Sequence, residues 1–484
     1  MFWYHYLIIS LCALLVVFLA VIIIRTLAFK PKTQDYVPID LVDFDHDKAI
    51  TALQEIVKCK TISHEDASLD DEVEFDKLIA LLPSLYKNVY ANCELKTFDG
   101  RALLFKWAGK NSTSNPTVLM SHYDVVSVVE EDWDEPPFDG VIKDGCLWGR
   151  GTLDTKVTFN ASLFAVDTLI ANGFTPENDI YLAFSGGEEV NGVGAKNIVK
   201  YFKENGIEPK LVLDEGGGVV ENVFPGVKKP CALVGIAEKG MMNVKYTVKT
   251  QGGHASAPKP NSPIVALSKA CVKLESSPFK YHISKPVAEM FDTLGRHSNF
   301  VYKMIFANLW LFKGLLNMLA KKNGGEMNAL LRTTVAFTQA SGSKGVNVIP
   351  PIASITTNMR LNPLDNVDNA YDYLVKTVDN DKIDVTILAS TNPSRISRTD
   401  VMGYDIVKNA ISNTWDKDIL VSPYLMVQCS DSRHYGEISD RVYRFSAMDL
   451  TSEERASIHG NNEKIRLEAI INSVKFYIAV IKQC

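Results

Sequence analysis

Two adjacent carboxylates, Glu188 and Glu189, are the side chains of this chain that are best suited to hydrolytic chemistry. They follow the apolar run 181–184 and a Ser-Gly-Gly break, so the sequence predicts that they lie just beyond the end of a strand. Adjacent side chains at a strand end point in different directions. One carboxylate is therefore free to bind a metal ion while its neighbour acts as a base toward water. Alone, however, such a pair is more typical of a solvated helix start.

Two further apolar runs end in potential metal ligands. Residues 116–120 lead into a Ser-His-Tyr-Asp stretch that contains His122, and residues 211–213 lead into Asp214. Short, continuous apolar runs between breakers suit strands of a parallel sheet that is buried on both faces. Ligands of such sheets bind beyond the carboxyl ends of the strands. The sequence therefore predicts an α/β fold in which the three sets of polar side chains converge on one edge.

Two more segments add candidate ligands. Asp154 ends a Gly-Arg-Gly-Thr-Leu-Asp stretch, and His459 lies in Ser-Ile-His-Gly, far along the chain. Imidazole with carboxylate, without thiolate, suits Zn²⁺ or a similar divalent ion in a hydrolytic site. A single catalytic zinc takes fewer than five protein ligands, because it keeps one position open for water. Two ions that share Asp154 as a bridge fit the five candidates, which are His122, Asp154, Glu189, Asp214 and His459.

Six motifs occur here in the order found in one enzyme family: SHYDVV, GRGTLDTK, GGEEVNGVGA, LDEGGG, GGHASAP and IHGNNE. From about residue 45 onward, the chain resembles the zinc exopeptidases and amidohydrolases that include carboxypeptidase S, aminoacylase and carnosinase. The resemblance is greatest to the branches of carboxypeptidase S and of the N-fatty-acyl-amino-acid synthase/hydrolase. One departure is Gly186-Gly187, where close relatives often have His-Asp before the glutamate pair.

This resemblance implies a set of roles for the metal ligands. Asp154 bridges two Zn²⁺ or other divalent ions per chain, His122 and Asp214 bind one ion, and Glu189 and His459 bind the other. The implied reaction is hydrolysis of an amide bond next to a free carboxylate.

The same resemblance implies roles for the residues around the metals. Glu188 becomes the general base, and Asp124 orients the imidazole of His122. His254 reaches the active site of a partner subunit and stabilises the oxyanion, which implies a homodimer. Three residues match positions that bind the substrate, of which the first two hold its carboxylate: Asn347, Arg360 and Arg433.

The predicted fold is a zinc-exopeptidase catalytic domain, a largely parallel sheet flanked by helices, with a smaller α+β lid and dimerisation domain inserted into it. Alternating residues at 244–249 and 353–360 predict half-exposed strands within this insert. The predicted boundaries are a transmembrane anchor at 1–30, a polar linker at 31–44, catalytic parts at 45–238 and 363–484, and the insert at 239–362.

The N-terminus predicts an uncleaved membrane anchor. Residues 1–24 contain no Lys, Arg, Asp or Glu, and 7–24 are almost wholly apolar, which is enough to cross a bilayer. A basic n-region and a small-residue cleavage site, expected of a signal peptide, are lacking. The side of the membrane stays open. The basic residues after the helix favour a cytoplasmic enzyme, whereas relatives in the nearest branches work in a vacuolar lumen or outside the cell.

The composition of the 484 residues excludes other classes of function. A net charge of −6 argues against nucleic acid as a partner. The eight cysteines form neither a CxxC pair nor a short-spaced framework, so the sequence indicates neither a cysteine metal site nor a disulfide scaffold.

The sequence leaves open the role of one apolar segment, the kind of substrate, and whether the protein is an enzyme or a binding protein. The apolar segment 300–320 is either a docking surface, for a long apolar substrate or a membrane, or a buried helix, which is the favoured prediction. A buried helix favours dipeptides or short peptides as substrates over N-fatty-acyl amino acids. A membrane-anchored, non-catalytic binding protein with a peptidase fold is the rival class, but such a protein should have lost ligands or the base.

Overall fold

The computed structural model describes residues 3–32, 36–111, 115–221, 224–415 and 418–484. The helices are α1 (Trp3–Ala28), α2 (His46–Val57), α3 (Glu72–Leu85), α4 (Lys87–Asn92), α5 (Lys156–Ala171), α6 (Gly194–Glu204), α7 (Pro263–Ser276), α8 (Lys285–His297), α9 (Phe300–Ala307), α10 (Leu309–Asn323), α11 (Gly325–Leu331), α12 (Val367–Val378), α13 (Met402–Thr414), α14 (Ser452–Ser457) and α15 (Leu467–Ile481). The strands are β1 (Glu94–Phe98), β2 (Ala102–Trp107), β3 (Thr117–His122), β4 (Ile142–Lys143), β5 (Cys146–Trp148), β6 (Ile180–Ser185), β7 (Leu211–Asp214), β8 (Gly218–Val220), β9 (Cys231–Glu238), β10 (Gly240–Lys249), β11 (Gly253–His254), β12 (Thr334–Ser341), β13 (Val348–Ile349), β14 (Ile352–Leu361), β15 (Ile383–Thr391), β16 (Leu420–Met426), β17 (Val442–Arg444), β18 (Asp449–Leu450) and β19 (Lys464–Arg466).

Ten strands of the described chain form one large sheet, in the order β1-β2-β6-β3-β7-β17-β9-β8-β18, with β16 paired to β9. Strand β3 lies between β6 and β7 and is parallel to both. The sheet as a whole is mixed, because β1, β2 and β6 pair antiparallel, as do β8 and β9.

Both faces of the central strands are buried, as their continuous apolar composition predicts. Successive side chains of a strand point to opposite faces. On β6, Leu182 and Phe184 pack in a cluster with α5 and α15, whereas Tyr181 and Ala183 pack against α6. The carboxyl ends of β3, β6 and β7 therefore meet at one edge of the sheet, and the candidate site lies there.

A second sheet of four antiparallel strands has the order β12-β14-β10-β15. The alternation predicted for β10 is observed, since Val244, Tyr246 and Val248 are buried against α7 and α12. The predicted return to the catalytic domain at residue 363 is too early, because β15 (Ile383–Thr391) pairs along β10. A loop pattern near Pro363 cannot reveal that a later strand rejoins the same sheet.

The segment 300–320 is not the buried helix that the sequence favours. It forms α9 and the larger part of α10, and apart from Phe306, Ala307, Asn308 and Ala320 its side chains are partly or well exposed. Of these, Phe306 and Ala320 belong to a buried cluster with residues of α8, β9 and β16, whereas Asn308 donates to the carbonyl of Ile22 in α1. Apolar composition predicted burial, but the two short helices turn only one side toward the core.

The N-terminal helix α1 is 26 residues long and apolar enough to cross a membrane, and few of its side chains are buried. The segment 31–44 was predicted to be a polar linker, but part of it packs on the catalytic core. Residues 33–35 lie outside the described residues, but the following segment is held to α13 by hydrogen bonds at 36–39. There the side chain of Asn409 accepts from the N–H of Val37, and that of Asn413 accepts from the N–H of Ile39. The polar residues of this segment hid four apolar side chains that pack against the core, which are Ile39, Leu41, Val42 and Phe44.

Candidate metal centre

One carboxylate lies between two imidazoles at the carboxyl edge of the large sheet. The Oδ1 atom of Asp154 is 3.0 Å from Nε2 of His122, and its Oδ2 atom is 3.1 Å from Nε2 of His459. His122 is the last residue of β3, Asp154 precedes α5, and His459 follows α14 with a left-handed backbone (φ 59°). Three distant parts of the chain thus present their side chains to one point.

Two groups of three ligands share Asp154. His122, Asp154 and Glu215 form one group, and Asp154, Glu189 and His459 form the other; within each, the ligand atoms lie within 4.8 Å of one another. Oε1 of Glu215 is 3.3 Å from Nε2 of His122, and Oε1 of Glu189 is 3.2 Å from Nε2 of His459. A carboxylate that serves two such groups has the geometry of a bridge.

The structure corrects the predicted ligand Asp214. Its Oδ2 atom accepts a hydrogen bond from the backbone N–H of Ser432 at 3.0 Å, while the next residue, Glu215, faces His122. Neighbouring side chains at the end of β7 point in different directions, so only one of the two carboxylates can face the cluster. The Asp-Glu pair was visible in the sequence, but nothing local identifies which member faces inward.

Asp124 is fully buried, and its carboxylate contacts four groups at once. Its Oδ1 atom is 3.3 Å from Nδ1 of His122 and accepts the N–H of Glu188 at 3.1 Å. Its Oδ2 atom accepts the N–H of Glu189 at 3.3 Å and the hydroxyl of Ser63. The predicted role of Asp124 toward His122 thus extends to the backbone of the glutamate pair.

The charges of the cluster fit divalent cations. Burial favours neutral His122, yet the neighbouring carboxylates, Glu215 first, raise its pKa well above the usual range. Hydrogen bonds to Asp154 and Glu189 raise the pKa of His459 to about 10. Without bound ions, the carboxylates favour protonated imidazoles; a divalent cation would take the place of those protons, because only a neutral imidazole nitrogen can bind a metal. Oxygen and imidazole donors in this number, with so much negative charge to balance, suit two Zn²⁺ or similar ions.

Glu188 lies beside these groups, in a 3₁₀ turn over Glu188–Val190. Burial is the largest cause of a pKa well above its usual range; the charges of Asp431 and Glu215 add to the effect and His122 opposes it. Asp431 itself accepts the hydroxyl of Ser185, and burial raises its pKa to about 6. A carboxyl group with a raised pKa is suited to accept and return a proton near neutral pH.

A buried ion pair joins the two chain segments that carry Asp154 and His459. Nη1 of Arg150 lies 2.7 Å from Oε2 of Glu463, and both side chains are buried. Oε1 of Glu463 accepts the N–H of Leu153 at 2.7 Å. Sequence reasoning missed this pair, although Arg150 and Glu463 are charged residues inside two of the recognised motifs.

Two of the predicted substrate-binding residues meet at one loop, to which Arg433 itself belongs and which Arg360 reaches from the second sheet. Arg433 donates to the carbonyl of Ser430 at 2.6 Å and to Oδ1 of Asn191 at 3.0 Å, next to the glutamate pair. Arg360, on β14 of the second sheet, donates to Sγ of Cys429 at 3.2 Å. The loop around 429–433 therefore connects the second sheet to the candidate metal centre.

His254 and Asn347 lie together on an exposed ribbon formed by β11 and β13. The carbonyl of Asn347 accepts the N–H of Ala255 at 2.9 Å, and Nδ1 of His254 accepts the N–H of Ser256 at 3.1 Å. In the part of the chain that the structure describes, the hydrogen bonds and ion pairs of the metal cluster include neither residue.

Residues 118–483 match the family model "Peptidase family M20/M25/M40". The probable carboxypeptidase S-like 2 of Dictyostelium discoideum is 32% identical, over 97% of this chain and 92% of that protein. The N-fatty-acyl-amino acid synthase/hydrolase PM20D1 of Xenopus tropicalis is 32% identical, over 97% and 93%. The crystal structure of human carnosine dipeptidase 1 is similar in fold, with a TM-score of 0.64 at 16% identity over 90% of this chain and 96% of that one.

Proposed function

This chain belongs to the peptidase family M20/M25/M40 and is a metal-dependent hydrolase, and we propose that it cleaves the amide bond next to the free carboxylate of dipeptides or short peptides. The observation that carries the proposal is Asp154, whose two oxygens face two imidazoles while Glu188 lies beside them. A non-catalytic binding protein has no need of a further buried carboxylate beside two groups of metal donors.

The residues that would hold two divalent ions are His122 and Glu215 on one side, Glu189 and His459 on the other, and Asp154 between them. When bound, such ions lower the pKa of water and polarise the scissile carbonyl. Glu215 takes this role in place of Asp214, whose carboxylate is engaged by Ser432.

Glu188 is the general base. It receives a proton from the attacking water and then passes that proton to the nitrogen of the leaving amine. Burial raises the pKa of Glu188 and so brings its proton affinity closer to that of the attacking water and of the leaving amine. Asp124 holds the backbone of the glutamate turn through the N–H groups of Glu188 and Glu189, so the base keeps its position during the proton transfers.

The substrate carboxylate is held by guanidinium groups. Arg433 belongs to the 429–433 loop and Arg360 contacts it from the second sheet, and the planar donors of both match a carboxylate. The family resemblance assigns Asn347 to the same set, and this residue lies beside the exposed β11–β13 ribbon. The N–H of Ser256 occupies Nδ1 of His254, so a neutral imidazole carries its proton on Nε2. That N–H is a suitable donor to the oxyanion in the site of a partner subunit, which makes the active protein a homodimer.

The N-terminal helix α1 serves in this proposal as a single-pass membrane anchor, on a side of the membrane that the charges after it leave open. A second candidate function, hydrolysis or synthesis of N-fatty-acyl amino acids, is favoured by one observation. Many apolar side chains of the segment 300–320 are exposed, and they offer a surface for a long acyl chain. The described contacts of this segment lead to α1 and to the cluster around α8, away from the metal cluster, so peptides stay the first candidate.

The test is a comparison of kcat/KM for Gly-Xaa dipeptides, acetyl-amino acids and oleoyl-amino acids, with zinc present. We expect the dipeptides to be hydrolysed fastest, and Glu188→Gln to lower the rate by about 10²–10⁴-fold at unchanged metal content, because a general base contributes that much. A clear preference for oleoyl compounds would establish the second candidate function instead. A wild-type rate for Glu188→Gln would refute the role of the base.

A further inference from the structure

The consecutive helices α9 and α10, which meet at Asn308 and are here called the hairpin (residues 300–323), expose many apolar side chains. On α10, five apolar side chains fall within one half of the helix circumference, at 3.6 residues per turn, and they are 38–59% exposed: Trp310, Leu311, Leu315, Met318 and Leu319. On α9, three further apolar side chains are 38–60% exposed: Phe300, Val301 and Tyr302. So many exposed apolar side chains in one segment mark a surface that meets an apolar partner.

The hairpin is in direct contact with α1. The guanidinium of Arg25 donates to the carbonyl of Ala307 at 3.2 Å. Nδ2 of Asn308 donates to the carbonyl of Ile22 at 3.3 Å. The ring of Phe18 meets that of Trp310 edge to face, with 6.0 Å between centroids. The apolar length of α1 therefore leaves the protein body at the hairpin.

The chain that follows α1 is held to the body as well, so the direction of α1 is set. Lys32 pairs with Asp292 at 2.8 Å, and Arg296 donates to the carbonyl of Lys30 at 2.8 Å. The Arg296 guanidinium also lies 4.3 Å from the ring centroid of Phe29. A bilayer that surrounds α1 consequently has the hairpin at its surface.

The charge of the hairpin matches an anionic membrane surface. Residues 293–325 contain no Asp or Glu, while four lysines lie in the hairpin: Lys303, Lys313, Lys321 and Lys322. An apolar helix face bordered by lysines is typical of helices that lie in the membrane interface. Tryptophan, here Trp310, is enriched at that depth.

We propose that the hairpin 300–323 is a second membrane-binding element, which lies on an anionic leaflet with its apolar face inserted at the boundary between headgroups and acyl chains. The inference rests on the proposed anchor role of α1 and adds a surface contact that an anchor alone does not require. It fixes the orientation of the catalytic domain relative to the bilayer.

The test uses the full chain in vesicles of phosphatidylcholine and phosphatidylserine, with phosphatidylcholine brominated at shallow acyl positions as quencher. In a Trp310→Phe background, Met318→Trp places a reporter about 12 Å along α10 from Trp310, at 1.5 Å per residue. Val272→Trp is the matched control, since Val272 on α7 is 68% exposed but lies on the second-sheet part of the molecule. We expect the fluorescence added by Met318→Trp to fall at least about twofold and that added by Val272→Trp to stay unchanged.

Extraction with alkaline carbonate distinguishes the anchor role of α1 from membrane binding by the hairpin. If the full chain is released, α1 is not an anchor and this inference falls with it. If the chain stays inserted but the Met318→Trp signal is not quenched, the anchor stands and the hairpin faces water or a second copy of the chain, which overturns the inference. Equal quenching of both reporters overturns it too, because binding would then not be specific to the hairpin.

Discussion

At the scale of single residues, the candidate centre depends on which of two neighbouring carboxylates faces it. Asp214 and Glu215 are chemically equivalent as ligands, yet only Glu215 approaches His122, while Asp214 accepts the N–H of Ser432. The pKa of Glu215 is raised to about 8, by burial first and then by the charge of Asp154. Such a group is costly to bury unless a cation neutralises it.

The first prediction compares two substitutions at these neighbours. Glu215→Ala should reduce the bound ions from two per chain to one, because it removes a ligand from the His122 group. Asp214→Asn should keep both ions and chiefly lower the melting temperature, because it weakens a buried hydrogen bond by about 1 kcal/mol. Elemental analysis and thermal unfolding measure both. Loss of an ion from Asp214→Asn with two retained in Glu215→Ala would return the ligand role to Asp214.

At the scale of elements, a buried ion pair explains how two remote segments meet. Glu463 precedes β19, Arg150 follows β5, and β19 pairs antiparallel with β5. Glu463 also accepts the N–H of Leu153, next to Asp154. The pairing of the two strands and the ion pair together bring the His459 segment to Asp154.

The second prediction tests this pair as a positioning device. Glu463→Gln should weaken zinc binding by about 10–100-fold, as does loss of groups that orient ligands, and should destabilise the fold by about 3–5 kcal/mol, because Arg150 is left buried without its partner. The double variant Glu463→Gln/Arg150→Met should regain stability but not zinc affinity. Glu437→Gln, in a pair with Lys203 on the surface, is the control and should change neither. Zinc affinity that recovers in step with stability would reduce the pair to a structural role.

At the scale of the whole molecule, the large sheet carries the metal centre and the second sheet carries a separate group of predicted residues. Arg360 reaches the loop beside the centre, whereas His254 and Asn347 lie on the exposed β11–β13 ribbon. A catalytic role for the ribbon therefore requires either a closing movement of the second sheet or a partner subunit. The proposed homodimer corresponds to the second alternative, in which the ribbon reaches the site of a partner subunit.

The third prediction tests that choice by mixing inactive subunits. Glu188→Gln chains mixed with His254→Ala chains should recover about a quarter of wild-type activity, since half of random dimers are hybrids and each hybrid has one site with both residues. Glu188→Gln mixed with Asp154→Ala is the matched control and should recover none, because both changes disable the site of their own chain. An absence of rescue after confirmed subunit exchange would place His254 outside the site of a partner.

The sequence by itself determined the features that depend on local pattern. Continuous apolar runs identified β3, β6 and β7, because a strand buried on both faces has no polar positions. Ligand chemistry selected four of the side chains that the structure brings together, which are His122, Asp154, Glu189 and His459. Each of these follows an apolar run or lies within a motif, so neighbouring residues suffice to find it.

Only the tertiary structure decided which side chains, strands and helix faces contact distant parts of the chain. It turned Glu215 rather than Asp214 toward His122, paired β15 with β10 beyond the predicted boundary, and left much of the segment 300–320 exposed beside α1. In each case the local sequence allows both outcomes. The choice depends on packing with segments far away in the chain, because burial is a property of what covers a surface and not of its composition.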